Sequence, residues 1–120
     1  RSNKKYGKDT FSGYFDSKLD QQKAAIFFIK KIIEESNVDT YLVSIPRVQD
    51  FDKLNKGENL EKIFWIKSLN DMSKDIKNFT FIDLIKYPTS KLEDLYLKCD
   101  GHWSSKGNKW AAEIISKYLK

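Results

Sequence analysis

An aspartate, a histidine and a small-residue turn stand close together near the end of this sequence of 120 residues. Asp100 precedes His102 by two positions, and His102 is the single histidine of the chain. A carboxylate that holds one imidazole nitrogen fixes the tautomer and stabilises the imidazolium, so the other nitrogen can take a proton. The pair therefore predicts a general base oriented by Asp100, and such a base needs a nucleophile elsewhere.

Apolar residues at helical spacing predict the elements that position this pair. The expected helices span about 17–36, with Asp16 or Ser17 as the cap, then about 58–76, and from near Lys106 to the end of the chain. The buried stripe expected for the first helix consists of Leu19, Ala25, Ile26, Ile29, Ile32 and Ile33. In the second helix, Leu60, Ile63, Phe64, Leu69 and Met72 are expected to face inward.

Two short apolar runs between the helices predict β-strands. The run 38–45 is nearly continuously apolar over 41–45, which is typical of a strand buried on both faces of a parallel sheet. A second strand is expected over 79–84, a loop over 47–57, and a helical turn over 91–97. This alternation predicts an α/β fold with parallel strands. Two strands are few, because a complete sheet of this class has about five.

Composition limits the classes of function that the chain can serve. The net charge is +5, but the lysines alternate with acids, as on solvated helix faces, so we expect no nucleic-acid partner. One cysteine cannot form an intrachain disulfide, and one cysteine with one histidine argues against a classical zinc site. Residues 1–16 are polar and predict an irregular arm, whereas 17–120 predict a single α/β domain.

The motif Asp-Gly-His-Trp-Ser over 100–104, with Gly107, Asn108 and Ala111-Ala112 after it, resembles the last conserved block of SGNH/GDSL-type hydrolases. It is similar to the Asp-x-His-Trp form found in proteins related to alginate O-acetylation. The segments 41–46 and 81–84 resemble the strands that precede this block. The resemblance covers about 17–120, the C-terminal half of that fold, and it implies a three-layer, flavodoxin-like arrangement of a parallel sheet with flanking helices.

The resemblance implies an esterase or O-acyltransferase that acts on a small-molecule or glycan ester through a seryl intermediate. His102 would be the general base and then the general acid, Asp100 would orient it, and no metal or organic cofactor is implied. An extracytoplasmic location is compatible with the family. The family's Gly-Asp-Ser block is missing, because no apolar strand precedes Ser12 or any other serine of the chain. We therefore expect half of a triad, inactive alone; the alternative is a non-catalytic α/β module that binds a partner or a glycan.

Two further residues are candidates for substrate binding. Trp103 either lines a substrate groove or covers the histidine loop. Arg47 either binds an anionic group of the substrate or forms an ion pair with Asp50 or Asp52. Both residues follow or approach the carboxyl ends of the predicted strands, where ligands bind in open parallel sheets.

The remaining polar and small residues near the motif predict structural roles. Ser104 or Ser105 is expected to cap the last helix, Gly107 to allow close packing, and Asp83 to act as a turn or cap residue beside the site. The predicted strand 41–45 needs neighbours on both edges. The arm, a missing N-terminal half of the domain or self-association is expected to supply them.

Overall fold

The computed structural model describes residues 11–87, 91–98 and 101–119. Within these ranges it contains four α-helices and two β-strands, which confirms the predicted α/β class. Their bounds are Leu19–Glu35 (α1), Thr40–Ser44 (β1), Val48–Asn55 (α2), Phe64–Asp75 (α3), Phe79–Asp83 (β2) and Ser105–Ser116 (α4). Short 3-10 turns span Leu60–Lys62, Leu84–Lys86 and Leu92–Leu95.

The two strands pair in parallel, as predicted, and α2 and α3 form the connection between them. The register places Leu42 beside Phe81 and Val43 beside Ile82. Ser44 lies beside Asp83, so each strand ends in a polar residue at the same edge of the sheet. Among the described residues the sheet has these two strands only.

Apolar side chains pack against both faces of the strand pair. On one face, Phe79 and Phe81 join a core cluster with residues of α1 and α3. On the other face, Ile82 packs with Ala111 and Ile114 of α4. β2 is consequently almost completely buried, whereas every residue of β1 is half-buried. The first strand therefore packs on both faces as expected, through Leu42 on one side and Tyr41 and Val43 on the other, but its residues are half-buried where full burial was expected.

The prediction of a loop over 47–57 is wrong, because Val48–Asn55 form the helix α2. The backbone N–H of Arg47 donates to Asp50 Oδ2 at 2.6 Å, which satisfies a donor at the helix start. Phe51 is buried and anchors the helix in the core. The second predicted helix begins later than expected, at Phe64, since residues 60–62 form a separate 3-10 turn capped by Asn59.

Helix α1 buries a narrower stripe than its sequence predicts. Ile33 is buried, and Ile26 and Ile29 are half-buried, as expected. Leu19, Ala25 and Ile32 are exposed, which contradicts the prediction. Among the described elements, α1 contacts mainly α3, and one contact line covers one side of a helix. Phe64 of α3, expected to face inward, is also exposed.

The described part of the predicted arm is ordered by side-chain hydrogen bonds. The Ser12 N–H donates to Asp16 Oδ2 at 2.8 Å, and the Phe15 N–H donates to Ser12 Oγ at 3.2 Å. These bonds close a turn that buries the ring of Tyr14 beside Trp65, with their centroids 4.9 Å apart. The described end of the arm is thus part of the core, and residues 1–10 lie outside the described ranges.

Candidate functional site

His102 lies on a short loop that backbone hydrogen bonds hold against the 3-10 turn Leu92–Leu95. The Leu97 N–H donates to the His102 carbonyl at 2.7 Å, and the Ser104 N–H donates to the Leu95 carbonyl at 2.8 Å. The two segments therefore form one small antiparallel unit at the start of α4. His102 itself is exposed.

The histidine loop adjoins the carboxyl end of β1. Tyr96 pairs with Trp103 in an isolated antiparallel bridge, and the Tyr96 hydroxyl donates to the Pro46 carbonyl at 2.7 Å. Pro46 follows β1 directly. Gly101, with φ of 76°, takes the left-handed conformation that lets the chain turn into His102. Asp100 lies outside the described residues, so its pairing with His102 remains a prediction.

The roles predicted for Ser104 and Gly107 are confirmed. Ser104 Oγ accepts from the Gly107 N–H at 3.2 Å, as an N-cap does, and donates to the Asp94 carbonyl at 2.5 Å. A Cβ atom on Gly107 would lie 2.1 Å from the Leu95 carbonyl oxygen. The loop and α4 thus approach so closely that only glycine fits.

Trp103 faces inward and closes the histidine loop over the core. Its ring meets Trp110 edge to face, with centroids 6.1 Å apart, and it packs beside Ile82 and Leu84. Its Nε1 is buried and finds no hydrogen-bond partner among the described residues. Trp103 therefore covers the loop, and its predicted contact with substrate stays a prediction.

Arg47 lies at the start of α2, at the same edge of the sheet. Its guanidinium Nη2 donates to the Phe11 carbonyl at 2.6 Å, which ties the arm to this edge. Its link to Asp50 runs through the backbone N–H. Binding of an anionic substrate group by Arg47 stays a prediction.

A polar cluster lies beside these residues; it consists of the buried Ser12, Tyr14, Asp50 and Asp83 and the half-buried Ser44. Ser12 Oγ donates to Asp50 Oδ1 at 2.5 Å, and both side chains are buried. Ser44 Oγ and the Tyr14 hydroxyl donate to Asp83 Oδ1 at 2.8 and 3.1 Å. Three of the five side chains follow or end the two strands, so the carboxyl edge is lined with polar groups.

Asp83 differs from its predicted role as a turn or cap residue. Its side chain makes no capping hydrogen bond to the turn that follows, and it is 4 % exposed. One carboxylate oxygen, Oδ1, accepts from both Ser44 and Tyr14, whereas Oδ2 is buried and has no partner within the described part of the chain. A buried oxygen of this kind is uncommon, because an unsatisfied polar group costs about 1–3 kcal/mol.

Burial and the two aspartates change the acidity of the nearby tyrosines. Desolvation, and then the charge of Asp83, raise the pKa of Tyr14 far above its ordinary value. Desolvation is also the main cause that raises the pKa of Tyr96 to about 12. The indole of Trp103 lowers the pKa of Tyr96, although Nε1 makes no hydrogen bond of standard geometry. Both tyrosines are therefore neutral donors at neutral pH.

A cavity of about 480 Å³ opens between the arm, α1, α3 and the edge of β1. Ile29, Leu42, Trp65, Leu69 and Phe81 give it apolar walls, and Ser44, Arg47 and Asp50 lie at its polar end. Such a mixture of apolar walls and few polar groups is usual for small-molecule sites.

The arrangement places an exposed histidine near the carboxyl edge, and the hydroxyls of Ser12, Ser44 and Ser104 near it are all committed to other partners. Ser12 is completely buried, and its hydroxyl is committed to Asp50. Ser104 uses its hydroxyl to cap α4 and to bond Asp94. In the described part of the chain, no three His, Cys, Asp or Glu side chains are grouped so that they could hold a metal ion.

Sequence reasoning missed the contacts of Asp50, Tyr14 and Ser44. The only local signal was the position of Asp50 three residues after Arg47, where a carboxylate can cap a helix. Tyr14 and Asp83 are 69 positions apart, and no periodicity connects them.

The fold and this edge define a mixed α/β domain with a parallel strand pair and polar groups at its carboxyl ends. Comparisons with protein-family models, curated proteins and solved structures find no significant match to the chain. None of the described helices combines the length and the apolar character needed to cross a bilayer.

Proposed function

We propose that this chain is the C-terminal portion of an SGNH-like serine esterase or O-acyltransferase whose whole domain has the three-layer, flavodoxin-like arrangement. The observation that carries the proposal is the exposed position of His102 on a loop bonded beside the carboxyl edge of the sheet. Substrates of parallel α/β proteins bind at this edge. The resemblance of 100–112 to the family's last block supports the same role.

In the proposed reaction, His102 removes the proton of a serine hydroxyl as the serine attacks the ester carbonyl. The imidazolium then gives that proton to the departing alcohol, which leaves an acyl-serine. Water or an acceptor hydroxyl, deprotonated by His102 in turn, attacks the acyl-serine, and the imidazolium returns the proton to the serine oxygen as the acyl group leaves. Asp100 holds the imidazole in the productive tautomer throughout. The attacking serine comes from residues other than Ser12, which is buried and bonded to Asp50.

The tautomer of the single imidazole tests the pairing of Asp100 with His102. We expect nitrogen-15 NMR at alkaline pH to find the proton mainly on Nδ1, because the carboxylate holds it there and leaves Nε2 free. Asp100→Asn should shift the population toward Nε2–H, whereas Asp52→Asn, an exposed carboxylate of α2, should leave it unchanged. A wild-type chain with mainly Nε2–H, insensitive to Asp100→Asn, would contradict the proposed role.

Activity of the chain alone tests the proposed division of the triad. We expect it to hydrolyse p-nitrophenyl acetate no faster than His102→Ala, because an imidazole without its serine forms no acyl intermediate. A longer polypeptide that also contains the residues encoded upstream should react with a fluorophosphonate serine probe. His102→Ala should abolish that labelling. Saturable turnover with a burst in the 120-residue chain would mean that it contains the nucleophile.

A non-catalytic binding module is the second candidate, and the cavity of about 480 Å³ favours it. Its apolar walls and its polar end suit a ligand without any reaction. This function predicts that Leu42→Trp, which fills the cavity, weakens binding of an acetylated oligosaccharide, while His102→Ala does not. The esterase proposal predicts that the upstream polypeptide supplies a serine whose reactivity depends on His102.

A further inference from the structure

The edge of β1 that faces away from β2 offers unpaired backbone groups. The Thr40 N–H donates to the Asn78 carbonyl at 2.8 Å, so the even-numbered residues of β1 point toward β2. Because backbone groups alternate in direction along a strand, Tyr41, Val43 and Ile45 point their N–H and C=O groups outward. Pro46 has no N–H, but as an even-numbered residue it belongs to the set that points toward β2. It therefore does not interrupt the outer edge.

Two backbone N–H groups on the outer edge of β2, in contrast, have hydrogen-bond partners. The Phe81 N–H donates to Ser73 Oγ at 3.0 Å, and the Phe79 N–H donates to the Ile76 carbonyl at 3.2 Å. Both bonds close the β2 edge with residues from α3 and its C-terminal end. Tyr41 and Val43 have no corresponding bond among the described residues. The open edge is thus specific to β1.

Apolar surface accompanies the open backbone. Ile45, which directly follows β1, is 63 % exposed, and the cavity described above runs along the consecutive residues 42–45. Open, apolar strand edges are sites at which another strand pairs.

The edge is complementary to itself. An antiparallel pair related by a two-fold axis at Val43 places Tyr41 opposite Ile45 of the other copy, which covers both apolar side chains. The same register places the exposed Asp39 opposite the exposed Arg47 at each end, where the Arg47 guanidinium also donates to the Phe11 carbonyl. In this register the outward-pointing N–H and C=O groups of one copy face those of the other. Val43 and its symmetry mate therefore form a hydrogen-bonded pair.

We propose that a second copy of this chain pairs with the open edge of β1 in this antiparallel register. The charge complementarity of Asp39 and Arg47 favours a second copy over residues 1–10, whose sequence contains no aliphatic side chain. Pairing joins two marginal two-stranded sheets into one of four strands, a size that is independently stable. The proposal concerns the 120-residue chain in solution and does not depend on the esterase proposal.

A cysteine placed at the two-fold axis tests the register. In a Cys99→Ser background, Val43→Cys should form a disulfide-linked dimer on mild oxidation, because Cα atoms of a hydrogen-bonded antiparallel pair are about 5.5 Å apart. Val38→Cys is the control, since two such residues would lie about 34 Å apart in this register. Crosslinking at both positions, or at neither, would overturn the proposed pairing.

Sedimentation equilibrium of variants without introduced cysteines provides an independent test. Asp39→Lys and Arg47→Asp should each raise the dimer dissociation constant roughly tenfold, and the double variant should return it to within about threefold of the wild type. A wild-type chain that stays monomeric over a wide concentration range would refute the proposal. So would binding of an added apolar peptide to β1 in a chain that shows no self-association.

Discussion

Replacing Gly107 by alanine tests whether the close docking of α4 on the histidine loop stabilises this protein. The added Cβ would lie 2.1 Å from the Leu95 carbonyl oxygen, well below the 3.4 Å at which ordinary contact begins. That oxygen is a backbone atom and cannot rotate away as a side chain does. The start of α4 must therefore move away from the turn Leu92–Leu95.

The magnitude follows from the bonds that such a movement breaks. Three hydrogen bonds join the two segments, from Leu97 to His102, from Ser104 to Leu95, and from Ser104 to Asp94. Each contributes about 1 kcal/mol, so their loss costs about 3 kcal/mol. Alanine is a better helix former than glycine by about 1 kcal/mol. The free energy of unfolding should fall by about 2 kcal/mol.

Urea denaturation followed by tryptophan fluorescence measures this change, because Trp103 and Trp110 lie at the affected contact. Gly13→Ala is the matched control: nothing lies within 4 Å of its added Cβ, and its φ is not positive. That substitution should be neutral or stabilise by up to about 1 kcal/mol, through the unfolded state. If Gly107→Ala is as stable as the wild type, the docking contact has been misjudged.

Three further predictions concern the rest of the described chain. Above pH 10 the free energy of unfolding should fall by about 1.4 kcal/mol per pH unit for each buried tyrosine. The raised pKa values of Tyr14 and Tyr96 mean that unfolding releases their protons in this range, so Tyr14→Phe should flatten the fall in alkaline urea titrations. Ser12→Ala should lower the free energy of unfolding in urea at neutral pH by about 2 kcal/mol, because it removes a donor to the buried Asp50 carboxylate. A decrease below about 0.5 kcal/mol would count against that bond. Gly57→Ala should lower the free energy of unfolding by about 1 kcal/mol, since φ is 100° at this position. An unchanged midpoint of thermal unfolding would show that the backbone relaxes.

Local sequence patterns predicted the main elements of this fold. The two apolar runs became β1 and β2, and the helical spacing near the C-terminus became α4, which starts at Ser105 with Ser104 as its cap. These features depend on neighbours a few positions away, so periodicity and capping chemistry are sufficient to find them. The helix α2 was missed because its start depends on the Asp50 carboxylate and its stability on the burial of Phe51.

The tertiary structure alone decided which side chains surround the carboxyl edge. Tyr14, Ser44 and Asp83 meet there because the parallel register sets Ser44 beside Asp83 and because the Ser12 turn brings Tyr14 into the core. Propensities and periodicities carry no information about contacts between positions so far apart in the chain. The sequence by itself determined that His102 would stand on a turn before a capped helix. That the turn lies beside the end of β1 follows only from the Tyr96 contact with Pro46, a hydrogen bond that forms once both segments have packed on the same core.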